Sequence, residues 1–178
     1  MSDADLVNLS AAGDEEAFLI LYRRHQGGVF RFAWHMSGKR EIAEEVTQDV
    51  FIALLRGLRR YAAQRAPLEA YLLGVARNHV RRYLAKEAFA NADVANLESS
   101  ARPPGENEEE QQLAALRAAI LALPPRYREV IVLCDLQDCD YRQAAEQLGC
   151  ALGTVRSRLH RARAILQAKL VRRERCSV

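Results

Sequence analysis

Asp140-Tyr-Arg-Gln-Ala-Ala-Glu-Gln-Leu-Gly149-Cys-Ala-Leu-Gly153-Thr-Val-Arg-Ser-Arg-Leu-His-Arg-Ala-Arg163 carries the local signals from which the architecture of the whole chain can be worked out. Asp140 and Gln143 stand three apart, the spacing of a capping box, in which each side chain satisfies a backbone N–H that the first helical turn leaves unpaired. A short helix to Leu148 follows, and Gly149 ends it, because a residue without a Cβ enters the left-handed region at little cost. A second helix runs from about Gly153. On it Val155, Leu159, Ala162 and Leu166 fall in one stripe, which turns Ser157, His160 and Arg161 away from the core with Arg156 and Arg158 on the flanks. A capped short helix, a glycine turn and a longer helix make a helix-turn-helix. Eight basic residues and one acidic residue lie between Gly153 and Arg175. Such a face suits the major groove of duplex DNA, where Arg reads guanine edges and further cations meet phosphates. The alternative is a solvated basic helix face; the cap, the turn and the charge imbalance together favour DNA.

Outward from that stretch the apolar residues recur at three and four rather than at two, and Ala, Leu, Arg and Glu dominate, so the chain reads as all-α. Pro124-Pro125 separates a helix around 111–122 from one that starts there, since proline is tolerated in a first helical turn; Tyr127, Val130, Ile131 and Cys134 form the inner face of the latter. Nearer the N-terminus, helices are predicted near 15–36, 40–58 and 68–88. Their stripes contain Phe18, Leu21, Tyr22 and His25, then Ile42, Val46, Val50 and Leu54, then Tyr71, Leu72, Val75, Ala76, His79, Val80 and Tyr83. Between the two sets lie Ser99-Ser100, Pro103-Pro104-Gly105 and Glu108-Glu109-Glu110, the composition of a flexible acidic linker. Two small helical domains are therefore expected, residues 1–88 and 111–178, joined by a linker at 89–110. The net charge of +3 resolves into +2, +6 and −5 over those three segments respectively.

Several function classes are excluded by what the chain lacks. At 178 residues, 49% of them hydrophobic, it has enough material for real cores. Its longest apolar runs, such as Val130 to Cys134, fall far short of the roughly 20 residues that span a bilayer. The N-terminus is acidic and polar, unlike a signal peptide. A cytoplasmic location and no direct membrane insertion are expected. The cysteines at 134, 139, 150 and 176 include no C-x-x-C pair, so free thiols are expected and a zinc site is not. His25, His35, His79 and His160 make up no catalytic constellation and no G-x-S-x-G or P-loop occurs, so no catalytic group, metal, cofactor or small-molecule substrate is expected.

In the first domain Arg59, Arg60, Tyr61, Arg65, Tyr71, Arg77, Asn78, Arg81, Arg82, Tyr83 and Lys86 alternate cations with aromatics, the combination that holds unpaired bases by stacking and charge. Tyr71 and Tyr83 also sit at helix-periodic positions, where packing is the competing use.

Ala43-Glu-Glu-Val-Thr-Gln-Asp-Val-Phe-Ile-Ala-Leu-Leu-Arg56 resembles the region 2 helix of extracytoplasmic-function (ECF) sigma factors, which has an acidic pair, then Val-Gln-Glu/Asp-Val-Phe and a terminal Arg. Ala76-Arg-Asn-His-Val-Arg-Arg-Tyr-Leu84 resembles the end of that region. Leu123-Pro-Pro-Arg-Tyr-Arg-Glu-Val-Ile-Val-Leu and Gly153-Thr-Val-Arg-Ser-Arg-Leu-His-Arg-Ala-Arg resemble the family's region 4. The resemblance implies a region 2 bundle and a region 4 helix-turn-helix in a bacterial initiation factor that binds core RNA polymerase and promoter DNA, both duplex and melted non-template strand. It also implies an anti-sigma factor as a partner. Carried over by position, Glu45, Gln48, Asp49 and Phe51 are the implied polymerase contacts, with burial as the equal alternative for Phe51. Arg60, Tyr61, Arg65, Tyr71, Asn78 and Arg81 are implied for the minus-10 element. Thr154, Arg156, Ser157, Arg158, His160 and Arg161 are implied for the minus-35 element.

The chain departs from the family pattern where many relatives carry Trp-Leu-Tyr-Arg-Ile-Ala-Arg-Asn and it has Tyr71-Leu-Leu-Gly-Val-Ala-Arg-Asn78. It also has Ala151 where a Ser cap is common. A stand-alone helix-turn-helix repressor or activator is the competing reading, and it leaves the first domain's acidic helix face without a task. The acidic linker is expected to discourage DNA binding by the free protein. Neutralising Glu106, Glu108, Glu109 and Glu110 should then tighten binding of the free chain to duplex DNA; an unchanged affinity in fluorescence anisotropy would remove the idea.

Overall fold

The computed structural model describes residues 1–58, 61, 67–92 and 108–175. The chain divides into two compact units, Met1–Leu84 and Ala85–Val178. Among the described residues there are eight α-helices and no strand, in keeping with the all-α reading.

The first unit begins with a helix that apolar periodicity did not reveal. α1 (Asp3–Ala11) starts at a capping box in which Ser2 and Asp5 satisfy each other's backbone N–H groups. It buries Leu6 and Val7. The Asp3 carboxylate also takes Arg24 and, at 2.8 Å, His25 Nε2, both from α2 (Glu15–Ser37). α2 starts at Asp14, whose side chain accepts from the Ala17 N–H at 3.0 Å. α3 (Arg40–Gly57) has no side-chain cap and contributes Val46, Val50, Phe51 and Leu54 to the core. α4 (Leu68–Ala92) adds Leu72, Leu73, Ala76 and Val80.

In the second unit α5 (Glu108–Leu121) is followed by α6 (Pro125–Ile131), which begins with proline in its first turn as expected. The Arg128 guanidinium donates to the carbonyls of Leu121 and Leu123, so it covers acceptors at the end of α5 that the helix itself cannot use. The chain stays helical through Cys134, but from Val132 to Leu136 it widens into a π-turn. Four successive residues, Val130 to Leu133, are buried there, more than one stripe of a surface helix accommodates. α7 (Tyr141–Leu148) has the predicted Asp140–Gln143 capping box, and Gly149 leaves it at φ +61°. α8 (Leu152–Arg175) starts without a side-chain cap from Ala151, whose carbonyl accepts from Thr154 and Val155 at 2.8 and 3.2 Å. Val155, Leu159 and Ala162 are buried beneath it and Leu166 half-buried.

Residues expected in the linker include the helical ends Phe89–Ala92 and Glu108–Glu110; residues 93–107 of that segment lie outside the described residues.

Two glycines respond oppositely to a methyl group. Gly74 lies inside α4, and a Cβ added there meets nothing within 4 Å. Gly74→Ala should raise stability by about 1 kcal/mol, because it removes backbone freedom from the unfolded chain at no steric cost. Gly149→Ala should lower it by about 1–2 kcal/mol, the cost of a left-handed residue with a Cβ. Urea denaturation followed by circular dichroism checks both signs.

Candidate nucleic-acid interface

The core stripe of α8 fixes the rotation of the helix, and its outer side chains follow from that. Arg156, Ser157, His160 and Arg161 are exposed, and Thr154 and Arg158 are half-buried on the shoulders. The Ser157 hydroxyl donates to the Thr154 carbonyl at 3.1 Å. Five of these six predicted residues, all but Arg156, line one open groove of about 490 Å³, and its other wall is Arg126 and Tyr127 at the start of α6. Arg126 and Tyr127 were not anticipated as site residues. Tyr127 reads as an inner-face aromatic, and it is indeed only 7% exposed. The guanidinium of Arg126 lies 4.8 Å from the centroid of its ring. The Arg161 guanidinium beside the phenol, helped by the charge of Arg126, holds Tyr127 below its usual pKa.

Arg163, one turn further along, is used differently. Its Nη2 and Nε donate to the Asp135 carboxylate at 2.6 and 3.1 Å, a two-pronged pair that ties α8 to the π-turn. The pair keeps its guanidinium charged and engaged within the unit.

On α3 the predicted polymerase contacts separate. Glu45 and Gln48 are exposed and Asp49 is half-buried. Phe51 is 4% exposed, its ring edge-on to Tyr22 at 4.8 Å and to Phe18 at 6.5 Å. That placement fits burial, the alternative given for Phe51: the ring lies in the core. The exposed apolar residues of α3 are Ile52 and Leu55, at 45% and 54%, which follow Glu45 and Gln48 along one face. Sequence reading missed them because an isolated exposed Ile or Leu carries no periodic signal.

The carboxylates on that helix are held by α4. His79 Nδ1 lies 3.1 Å from Asp49 Oδ2. The Tyr83 hydroxyl donates to Glu45, which together with partial desolvation and the Asp49 charge pushes its pKa up to about 12. Tyr83 is thus used within the fold rather than as a base platform.

Asn78 and Arg81 are exposed on α4. Tyr71 is half-buried with its ring 5.0 Å from that of Tyr61 at 61°, and burial raises the Tyr61 pKa. The structure therefore brings two of the predicted minus-10 residues together as an aromatic pair. Arg60 and Arg65 lie outside the described residues.

No group of three or more His, Cys, Asp or Glu side chains placed to hold a metal occurs among the described residues. His25 faces Asp3, His35 stacks on Trp34 at 5.8 Å, and burial pushes the Cys134 thiol up to about 11. None of the helices, over the described residues, is long and apolar enough to cross a membrane.

Comparison with known proteins matches residues 21–89 to the Sigma-70 region 2 family and residues 113–166 to the Sigma-70, region 4 family. The ECF RNA polymerase sigma factor SigM of Mycobacterium tuberculosis is 32% identical over 169 residues, covering 93% of this chain and 83% of that protein. The ECF RNA polymerase sigma factor SigE of Mycolicibacterium smegmatis is 33% identical over 172 residues, 91% of this chain, although the match spans 66% of that longer protein. Among solved structures, the sigma factor RpoE bound to the anti-sigma factor NepR from Bartonella quintana superposes with a TM-score of 0.72 at 28% identity, covering 88% of this chain and 96% of that one. CnrH in complex with the cytosolic domain of CnrY gives the same TM-score and identity over 94% and 96% of the two chains.

The seam between α3 and α4 has a spectroscopic signature. A phenol whose pKa is raised keeps its proton in the folded state to higher pH, so the stability it contributes is present below pH 10 and is lost as pH rises toward 12. Ultraviolet titration should find a tyrosinate step near pH 12 that Tyr83→Phe removes; an unchanged titration curve would show that the Glu45 bond does not form.

Proposed function

This chain belongs to the ECF RNA polymerase sigma factors, and from that membership we propose how its own residues divide the work of transcription initiation. The first unit docks on core RNA polymerase through the α3 face formed by Glu45, Gln48, Ile52 and Leu55, with Asp49 at its edge. The observation that carries this reading is the pair of exposed aliphatic side chains, Ile52 and Leu55, beside carboxylates already oriented by Tyr83 and His79. An apolar strip rimmed by polar groups is the composition of a protein interface. A stand-alone repressor or activator has no use for it.

On α4, Asn78 and Arg81 together with Tyr61, Tyr71, Arg60 and Arg65 hold the melted non-template strand of the minus-10 element, where extruding a base costs a few kcal/mol that stacking and edge contacts offset. In the second unit Arg156, Ser157, His160 and Arg161 read the minus-35 element in the major groove, with Thr154 and Arg158 against phosphates. The segment at 89–110 serves as the tether between a region 2 domain at 1–88 and a region 4 domain at 111–178. The chain acts as a non-catalytic, cytoplasmic initiation subunit. An anti-sigma protein that covers its binding faces is a further partner, a reading supported by the structural relative RpoE of Bartonella quintana, which was solved in complex with the anti-sigma factor NepR.

Reconstitution tests the reading as a whole. With core polymerase and a cognate promoter, the purified chain should give specific run-off transcripts that core alone does not produce. Ile52→Glu should weaken core binding at least about tenfold, because it places a charge in an apolar contact, and leave duplex DNA binding unchanged. A chain that binds duplex DNA tightly and leaves core polymerase unaffected would establish the stand-alone regulator instead.

A further inference from the structure

The groove between α6 and α8 contains an arrangement that reading by α8 alone does not require. Arg161 is exposed, and an exposed arginine samples many rotamers that a bidentate base contact must freeze out. Here the guanidinium lines the same groove as the Tyr127 ring, and its nearness holds the phenol below its usual pKa. Tyr127 is 7% exposed, so its ring is set by the core of the unit and its hydroxyl is a stationary acceptor. Arginine has donors only, so toward it the hydroxyl can act only as acceptor, with its own O–H left to donate. Arg126 stacks on the same ring, 4.8 Å from its centroid, which brings a second guanidinium to the groove wall. With Ser157, Arg158 and His160 opposite, the groove concentrates donors and positive charge for an anionic, acceptor-rich ligand.

We propose that Tyr127 is a positioning residue for sequence readout, holding Arg161 in one rotamer for a base edge while Arg126 meets the phosphate backbone beside that base. The inference rests on the DNA-reading role of α8 proposed above. It makes the first turn of α6 the second wall of the DNA site, and it couples sequence preference to a side chain that touches no base.

The full chain, assembled with core polymerase, selects duplexes from a library randomised across the upstream promoter region. Affinity is then measured on the enriched duplex and on a scrambled duplex of equal composition across a salt series. Tyr127→Phe keeps the ring and its packing; it should lose about tenfold on the enriched duplex and nothing on the scrambled one. Its own selection should become degenerate at the base position lost by Arg161→Ala, and the double variant should be no weaker than Arg161→Ala alone. Arg161→Lys, which keeps the charge without the fork, should give the same degeneracy with the α6 wall intact. Arg126→Gln should weaken both duplexes alike and reduce the salt slope by about 1. A Tyr127→Phe variant with wild-type selection and affinity overturns the proposal, as does equal loss on both duplexes. A wild-type chain that enriches no sequence overturns the DNA-reading role itself, and this inference with it.

Discussion

Burial of Val155, Leu159 and Ala162 beneath α8 is the constraint on which the second unit depends. A helix has one free rotation about its axis, and this stripe removes it. Once those three side chains face inward, Arg156, Ser157, His160 and Arg161 have no choice of direction. The cap at Asp140 and the left-handed Gly149 set where α8 begins, and the Arg163–Asp135 pair fixes it further along. Each of these devices is modest alone, since a cap contributes about 1 kcal/mol and a partly exposed ion pair less. Together they convert a hydrophobic pattern into an aimed set of hydrogen-bond donors.

The first unit uses the same principle with a different outcome. Val46, Val50, Phe51 and Leu54 face inward from α3, which leaves Gln48, Ile52 and Leu55 outside. Between the two faces, Glu45 and Asp49 lean on Tyr83 and His79 of α4. The helix that presents Gln48, Ile52 and Leu55 is therefore joined by polar contacts to the helix that presents Asn78 and Arg81. Displacing the carboxylates of α3 would change what the side chains of α4 pack against.

Legibility in the sequence followed the range of the interactions. The α7–turn–α8 motif was readable because capping boxes and left-handed glycines are encoded within four residues. The inward stripes of α3 and α4 were readable from period alone. α1 was not, since Leu6 and Val7 are its only buried apolar residues and its place depends on Asp3 meeting Arg24 and His25 from another helix. Phe51 and Ile52 are adjacent apolar residues on the shoulders of one stripe; Tyr22 and Phe18 on α2 decide which of them is core. The π-turn at Val132–Leu136 and the meeting of Tyr127 and Arg161 in one groove are equally tertiary. Of the candidate site, residue types and exposure on α8 were legible, whereas the second wall of its groove was not.

The Arg163–Asp135 pair has a bearing on ionic behaviour. A cation that already has a carboxylate for company displaces no condensed sodium or potassium from a nucleic acid that it approaches. The number of mobile ions released when the second unit meets DNA is therefore smaller than a tally of its arginines implies. Part of its positive charge is spent on the rigidity of the protein, and the rest is left for the polyanion.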